Sequence, residues 1–487
     1  MDKIILHTEN EVYFRVEAPE HVKMSLSEHF TFFVPGYKFM PAYRNRIWDG
    51  KIRLFNTRNG RLYRGLVEEI KSFADSEGIE VVVLDEGDTL ESFSIQEARE
   101  FYQSLQLGKA GKRFEERDFQ LESFAHCVRT GRALFVSPTG SGKSLMIYML
   151  LRYYDVKTLI IVDSVNLLLQ MFSDFDEYGF DSGSFVHTIS AGKAKESDKP
   201  IIVSTWQSAS RMPHSWFSQF DLVIGDEAHK FKAKELTKIM ESLTDCKYRF
   251  GFTGSLDGTK TNKLVLQGLF GPHKQIVTTK ELQEDGTLSD LTIKCIMLEY
   301  DEEERKQVLK SKYQQEVDFL NKHVKRNKFI CNLALSLDGN TLLLFRNIET
   351  HGKVLHRYIE EKAECPVYYV SGEVKGNERE EIRQVVNTHE KSITVASLGV
   401  FSTGTNIPNI DNIIMASPTK SQIMLLQSIG RGLRKTKRKS HCTFFDIVDD
   451  LSRKSKQNYT LKHFAERMKI YISQKFKYKL YKVKLSK

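Results

Sequence analysis

The octapeptide Ser137–Ser144, SPTGSGKS, ends in a lysine and a hydroxyl next to two glycines, a combination suited to phosphate. Gly140 and Gly142 allow the backbone to curl so that its N–H groups face phosphate oxygens at a helix start. Pro138, Thr139 and Ser141 complete the loop, Lys143 offers a point charge to the β- and γ-phosphates, and the Ser144 hydroxyl can ligate Mg2+. Position 137 is serine where the strict phosphate-loop pattern has glycine. Downstream stands DEAH, Asp226–His229, in which Asp226 can hold the Mg2+ shell and Glu227 can polarise an attacking water. Farther on, QSIGRGLR at Gln427–Arg434 spaces Arg431 and Arg434 one turn apart if the segment is helical. Two planar guanidiniums suit the charge of a transferring phosphoryl group, although alone they would be ordinary surface arginines. The ordered set calls for ATP and Mg2+.

The elements around these residues follow a repeating pattern. Short continuous apolar runs, each trailed by a polar loop and a helical segment, occur at 133–136, 158–162, 201–204, 222–224 and 248–252. A second series lies at 341–345, 367–370, 392–397, 412–416 and 442–447. Runs without alternation predict strands buried on both faces, hence parallel α/β sheets. The phosphate loop follows a strand of the first series and precedes the helical run LMIYMLLRYY. DEAH follows the buried strand LVIG, at the carboxyl edge where such sheets bind ligands. The arginines fall in the second series, so they can complete the site only when two lobes close. The weakly periodic stretch 255–300 reads as a bridge between them.

The 487 residues leave room for about three domains. With 40% hydrophobic and 28% charged residues the composition is that of ordinary globular protein. A net charge of +9 and a pI near 8.9 are compatible with a polyanionic partner. Six scattered cysteines without a C-x-x-C pair argue against a zinc site and for a reducing compartment. The early charges of MDKIILHTENE do not form a signal peptide, and no apolar run approaches membrane-helix length. The expectation is a soluble cytoplasmic protein with no membrane partner.

The first ~110 residues read as strands at 4–6, 12–16 and 79–84 with an amphipathic helix at 65–76, joined onward by a linker at 107–116. Between Gly36 and Arg64 lie Lys38, Arg44, Arg46, Lys51, Arg53, Arg58, Arg61 and Arg64 against the single acid Asp49. Interleaved are Tyr37, Phe39, Tyr43, Trp48, Phe55 and Tyr63. Such cations can neutralise phosphates while exposed aromatics stack on bases. The bland alternative makes the rings core and the charges a solvated face; Trp48 and Phe55 are expected to be partly core. The lysine-rich tail 475–487 could be an edge strand or a flexible basic arm, and RKTKRK at 434–439 a solvated run.

The motif order over residues 115–450 resembles the superfamily 2 helicases and translocases. On that resemblance Arg117 and Gln120 read the adenine, and Asp163–Gln170 with Thr205 and Gln207 of IIVSTWQ contact the nucleic-acid strand. Thr253, Gly254 and Ser255, with His229, couple hydrolysis to movement. Leu342–Phe345, Ser371–Gly372 and Ser402–Pro408 occupy the second-lobe motif positions, with Gly404 near the nucleotide and Gln427 beside the arginines. Asn406 stands where many relatives carry aspartate, which puts any role of that side chain in doubt. GYKF at 36–39, WDGKIRLF at 48–55 and GVFSTG at 399–404 further resemble the UvsW helicases of T-even-type bacteriophages. That resemblance implies two tandem RecA-like parallel-sheet domains behind a small α+β nucleic-acid-binding domain. It also implies 3′ to 5′ translocation on branched DNA and activity on RNA–DNA hybrids.

The expected organisation is an N-terminal domain over 1–110, lobes over 111–285 and 286–455, and a basic extension over 456–487. The expected function is that of a monomeric ATP-dependent DNA helicase whose recognition surface includes Arg44, Arg46, Trp48, Lys51 and Arg53. An RNA helicase, or a strand-annealing protein in which ATP only switches affinity, would carry many of the same motifs.

Overall fold

A computed structural model describes residues 2–485 apart from 85–91, 110–111, 139, 190–196, 231–232, 255–259, 375, 403–408, 420, 434 and 436–437. By packing, the chain divides into two compact units: Met1–Ser137 with Gly142–Val277, and Pro138–Ser141 with Thr278–Lys487.

The first ~84 residues build β1 (Lys3–Thr8), β2 (Tyr13–Glu17), β3 (Thr31–Phe33), β4 (Lys51–Arg53), β5 (Phe55–Asn56), β6 (Arg61–Tyr63) and β7 (Glu80–Leu84). Strand order is β5-β6-β2-β1-β7, with β3 and β4 forming a separate hairpin ladder. Alternation drives this sheet: Ile4 and Leu6 of β1 and Phe14 and Val16 of β2 are buried while their neighbours are not. The helix Val67–Glu77 turns Ile70, Phe73 and Ala74 inward and stops at Gly78 in the left-handed conformation.

A short hairpin, β8 (Gly108–Lys109) and β9 (Lys112–Arg113), occupies the segment expected to be a linker. The helix before it, Ile95–Ser104, belongs to the following lobe and not to the N-terminal domain, because Ala98 and Tyr102 enter that lobe's core. Nothing in its local sequence says which core such a helix joins.

The first lobe contains β10 (Arg132–Val136), β11 (Thr158–Val162), β12 (Val186–Ile189), β13 (Ile201–Thr205), β14 (Leu222–Asp226), β15 (Tyr248–Thr253) and β16 (His273–Gln275). All are parallel, in the order β12-β13-β11-β14-β15-β10-β16. The second unit repeats the plan with β17 (Asp290–Glu299), β18 (Asn340–Phe345), β19 (Val367–Val370), β20 (Ser392–Ser397), β21 (Asn412–Met415), β22 (His441–Asp450) and β23 (Lys477–Lys484), ordered β19-β20-β18-β21-β22-β17-β23. The two α/β domains and the α+β leader are as the sequence predicts.

Two further expectations need correction. The supposed bridge over 255–300 holds the helix Lys260–Phe270, packed in the first lobe, and the ten-residue strand β17 of the second sheet. In β17, the alternation Leu291, Ile293, Cys295 was masked by intervening polar residues. The stretch 456–487 is no appendage: the helix Tyr459–Ser473 buries Arg467 against Asp446 of β22, and β23 is the edge strand of the sheet. Its lysines suit an edge, since charged side chains discourage further strand pairing.

Candidate active site and nucleic-acid surface

Adjacent strands place the chemistry. Order β14-β15-β10 sets three carboxyl ends side by side, and the register pairs Asp226 with Phe252 and Val136 with Thr253. DEAH, Thr253 and the phosphate loop therefore emerge at one level of the sheet. Ser137 continues the ladder by donating its N–H to the Thr253 carbonyl at 2.8 Å. The chain then passes Gly140 and Gly142, with φ of 89° and 83°, before the helix Lys143–Tyr154. These left-handed conformations are why glycine is needed there. Leu145 through Leu151 of that helix are all buried, which holds its N-terminal end, the favourable end for an anion, against the loop.

Lys143 Nζ lies 3.5 Å from Glu227 Oε1 and 3.3 Å from the Ser137 carbonyl. The other Glu227 oxygen is 3.4 Å from His229 Nδ1, which stands 2.5 Å from Thr253 Oγ1. A continuous polar chain thus runs Lys143–Glu227–His229–Thr253. His229 is buried beneath it. Glu227 has φ of 53°, a conformation rare for a non-glycine residue and costing of order 1 kcal/mol. Its N–H donates to Asp226 Oδ1 at 2.9 Å, which helps hold the turn.

A phosphate fits this arrangement. A Cβ at Gly254 would lie 3.8 Å from both Lys143 Nζ and Glu227 Oε2, so the missing side chain keeps the space beside the two charges open. Sequence reading placed Gly254 only as part of a motif; its role in leaving room comes from the tertiary contact. Beside the loop, the buried Gln120 sits in the first turn of the helix Asp118–Thr130, where its N–H bonds the Arg117 carbonyl at 2.9 Å. A Cβ on Gly142 would stand 2.2 Å from Gln120 Nε2, which places the expected adenine-reading amide directly against the loop.

Of the strand-contacting candidates, Gln207 is exposed and its amide reaches the Asp163 carbonyl at 3.5 Å. Thr205 is 7% exposed and donates its hydroxyl to Ser208, so it offers no surface to a strand. Thr139, Ser255, Gly404, Asn406 and Arg434 lie outside the described residues. Gln427 and Arg431 belong to the helix Gln422–Gly432, but their side chains lie outside the described ones.

The basic N-terminal stretch is sorted by its partners. Arg61 is engaged by Glu9, Arg64 by Glu11 at 2.8 Å, and Arg53 by Asp49, whose carboxyl that hydrogen bond holds below the usual range. Arg61 and Arg64 tie the end of β6 to the β1–β2 turn, whereas the Arg53–Asp49 pair is exposed and leaves Arg53 at the surface. Lys38, Arg44, Arg46 and Arg58 are exposed, while Lys51 lies 5.0 Å above the Phe33 ring. Trp48 is half-buried and donates to the Lys51 carbonyl at 2.9 Å; Phe55 is fully core.

The N-terminal domain and the first lobe share one hydrophobic core. Glu241 of the lobe accepts from Tyr13 at 2.5 Å and Tyr63 at 2.7 Å, and Arg132 bonds Glu11 at 2.6 Å. Gly65 is pressed onto the helix Lys260–Phe270, where any Cβ would stand 2.0 Å from the Gln267 carbonyl. No local pattern could have paired tyrosines with a glutamate so far along the chain.

Two parallel-sheet lobes, one carrying a phosphate loop and a DEAH carboxylate at its strand ends, define an ATP-driven nucleic-acid motor. Residues 3–84 match the N-terminal domain of DNA helicase UvsW, 91–257 the type III restriction enzyme res subunit, and 325–436 the helicase conserved C-terminal domain. The chain is 34% identical to the ATP-dependent DNA helicase uvsW of Enterobacteria phage T4, over 99% of this chain and all of that one. The crystal structure of T4 UvsW superposes with a TM-score of 0.53 at 32% identity, covering 99% of this chain and 100% of that one. The DNA 3′-5′ translocase XPB2 of Sulfurisphaera tokodaii is 26% identical over 66% of this chain and 79% of its own. The chain belongs to the UvsW family of ATP-dependent DNA helicases.

Proposed function

We propose that this helicase remodels branched DNA, including forks, four-way junctions, D-loops and R-loops, by moving 3′ to 5′ along one strand. The observation that carries the reading is the N-terminal domain. It presents Lys38, Arg44 and Arg46 to solvent while sharing a core with the ATP-binding lobe, so a duplex held there is held by the motor itself. Backbone-phosphate contacts of this kind bring little sequence preference and strong salt sensitivity. The name of the XPB2 relative supports the polarity.

In the ATP site, Lys143 and the glycine loop hold the phosphates, Arg117 and Gln120 the base, and Ser144 with Asp226 the Mg2+ ion. When bound, the ion would supply positive charge to neutralise the phosphates. Glu227 orients and deprotonates the attacking water. By their motif positions, Arg431 and Arg434 would supply positive charge to the phosphoryl group, and Gln427 and Gly404 uncharged contacts to the nucleotide. The link from Glu227 through His229 to Thr253 supports coupling of hydrolysis to strand movement, with Ser255 two residues farther along the chain and Gln207 meeting the strand.

ATPase rates on single-stranded DNA, duplex, fork, four-way junction, R-loop and RNA at one salt concentration test the reading. Strand displacement by wild type and Lys143→Ala accompanies them. Greatest stimulation by forks and junctions, with unwinding lost in the variant, is expected. Preference for RNA would make the protein an RNA helicase, and hydrolysis without strand movement would make it an ATP-switched annealing protein.

A further inference from the structure

The excursion between β3 and β4 of the N-terminal domain is a small structure in its own right. Gly36 opens it and Gly50 closes it, with φ of 73° and 82°. Tyr37 is its centre: the ring stacks on Phe33 at 4.7 Å, meets Tyr43 edge-on at 4.7 Å, and lies so close over Gly50 that a Cβ there would stand 2.3 Å away. The Trp48 indole N–H is used on the Lys51 carbonyl. Three of its aromatic groups, with Phe33 of β3, thus do structural work, and this platform holds the rest of the segment in place.

What remains faces out. Phe39 is 77% exposed, Ile47 79% and Met40 37%, and none of them joins the hydrophobic core. Single exposed apolar residues need no explanation, but here three occur within the one excursion from Gly36 to Gly50. Lys38, Arg44 and Arg46 flank them, and these three line a depression of about 500 Å3 with Tyr43, Ile47, Trp48 and one acid, Asp49, which Arg53 engages. Arg46 itself has φ of 57°, placing the turn that exposes Ile47.

We infer that Phe39 and Ile47 form an apolar wedge that inserts at the branch point of DNA, resting against the terminal base pair, while Lys38, Arg44 and Arg46 hold the flanking phosphates. Charge complementarity selects this occupant: an apolar protein surface would leave three cations unpaired, whereas the end of a duplex offers an apolar base face bordered by anions. The inference deepens the branched-DNA reading and rests on it. The wedge also acts where the motor needs it, since its domain shares a core with the ATP-binding lobe. It would prise the pair open as the strand is drawn past.

The test uses the full chain and a fork with 2-aminopurine at the branch point. Wild type should raise its fluorescence on binding without ATP, by unstacking the base. Phe39→Ala with Ile47→Ala should abolish the rise and weaken fork binding roughly ten- to hundredfold, the worth of one or two stacking contacts. Single-stranded-DNA-stimulated ATPase should be unchanged, which also certifies the fold, and Phe39→Trp should restore the signal. If the double variant keeps both the fluorescence rise and fork affinity, the wedge is refuted. If wild type itself shows no preference for fork over duplex, the branched-DNA reading fails first.

Discussion

Lys143 Nζ and Glu227 Oε1 stand 3.5 Å apart across the ends of β10 and β14, each side chain about 15% exposed. In the proposed function these are the cation meant for phosphate and the carboxylate meant to take a proton, and here each is the other's partner. Under that function, a γ-phosphate that takes over the lysine would release the Glu227 carboxylate to act on water.

Lys143→Ala and Glu227→Gln should separate these roles. Lys143→Ala should weaken ATP binding and abolish turnover. Glu227→Gln should keep nucleotide affinity within a few-fold yet lower kcat by about 10²–10³, the usual worth of a positioned base. Nucleotide titration with single-turnover hydrolysis checks this; a Glu227→Gln protein that no longer binds ATP would contradict it.

Glu241 should prove to be the clasp between the N-terminal domain and the lobe. Its acceptance of Tyr13 and Tyr63 is charge-assisted, and such bonds contribute about 1.5–3 kcal/mol each. Glu241→Ala should speed amide exchange in β2 and β6 and lower fork-stimulated ATPase while leaving basal ATPase unchanged. Unaltered exchange would mean the shared apolar core holds the two together alone.

In the second unit Arg326 and Asp449 form a fully buried pair, 2.7 Å from Nε to Oδ1, with the Tyr300 hydroxyl donating to the same oxygen at 2.7 Å. Asp449→Ala leaves an uncompensated charge and should cost about 3–5 kcal/mol, lowering Tm by roughly 10 °C. Breaking the exposed Lys3–Glu80 pair should leave Tm unmoved. Calorimetry distinguishes the two.

Acid should destabilise the second unit through His351. Burial, helped by the Arg326 charge, pushes its pKa down to about 3. Below about pH 6.5 the unfolded chain takes up a proton that the folded chain refuses. Stability therefore falls as pH drops from about 6.5 towards 3, by about 1.4 kcal/mol per pH unit for this group, and is flat above that window. Urea midpoints at pH 7 and pH 5 should differ less in His351→Asn than in wild type. Equal differences would remove His351 as the cause.

The sequence by itself determined the ATP chemistry and the doubly repeated α/β plan. The reason is that phosphate loops, strand-end carboxylates and strands buried on both faces are all written in contiguous residues. Lys143, Asp226, Glu227 and the ten apolar runs could be read without knowing what they touch. Only the tertiary structure decided which residues act together. It drew Glu227 between Lys143 and His229, gave Arg53, Arg61 and Arg64 to ion pairs, buried Thr205, and made 456–487 part of the second sheet. It also turned Tyr37 inward and left Phe39 outside, although both are aromatic and two positions apart. A ring or a guanidinium has the same local preference whether its partner is protein or solvent, so its role is settled by contacts with distant residues, and those exist only once the chain has folded.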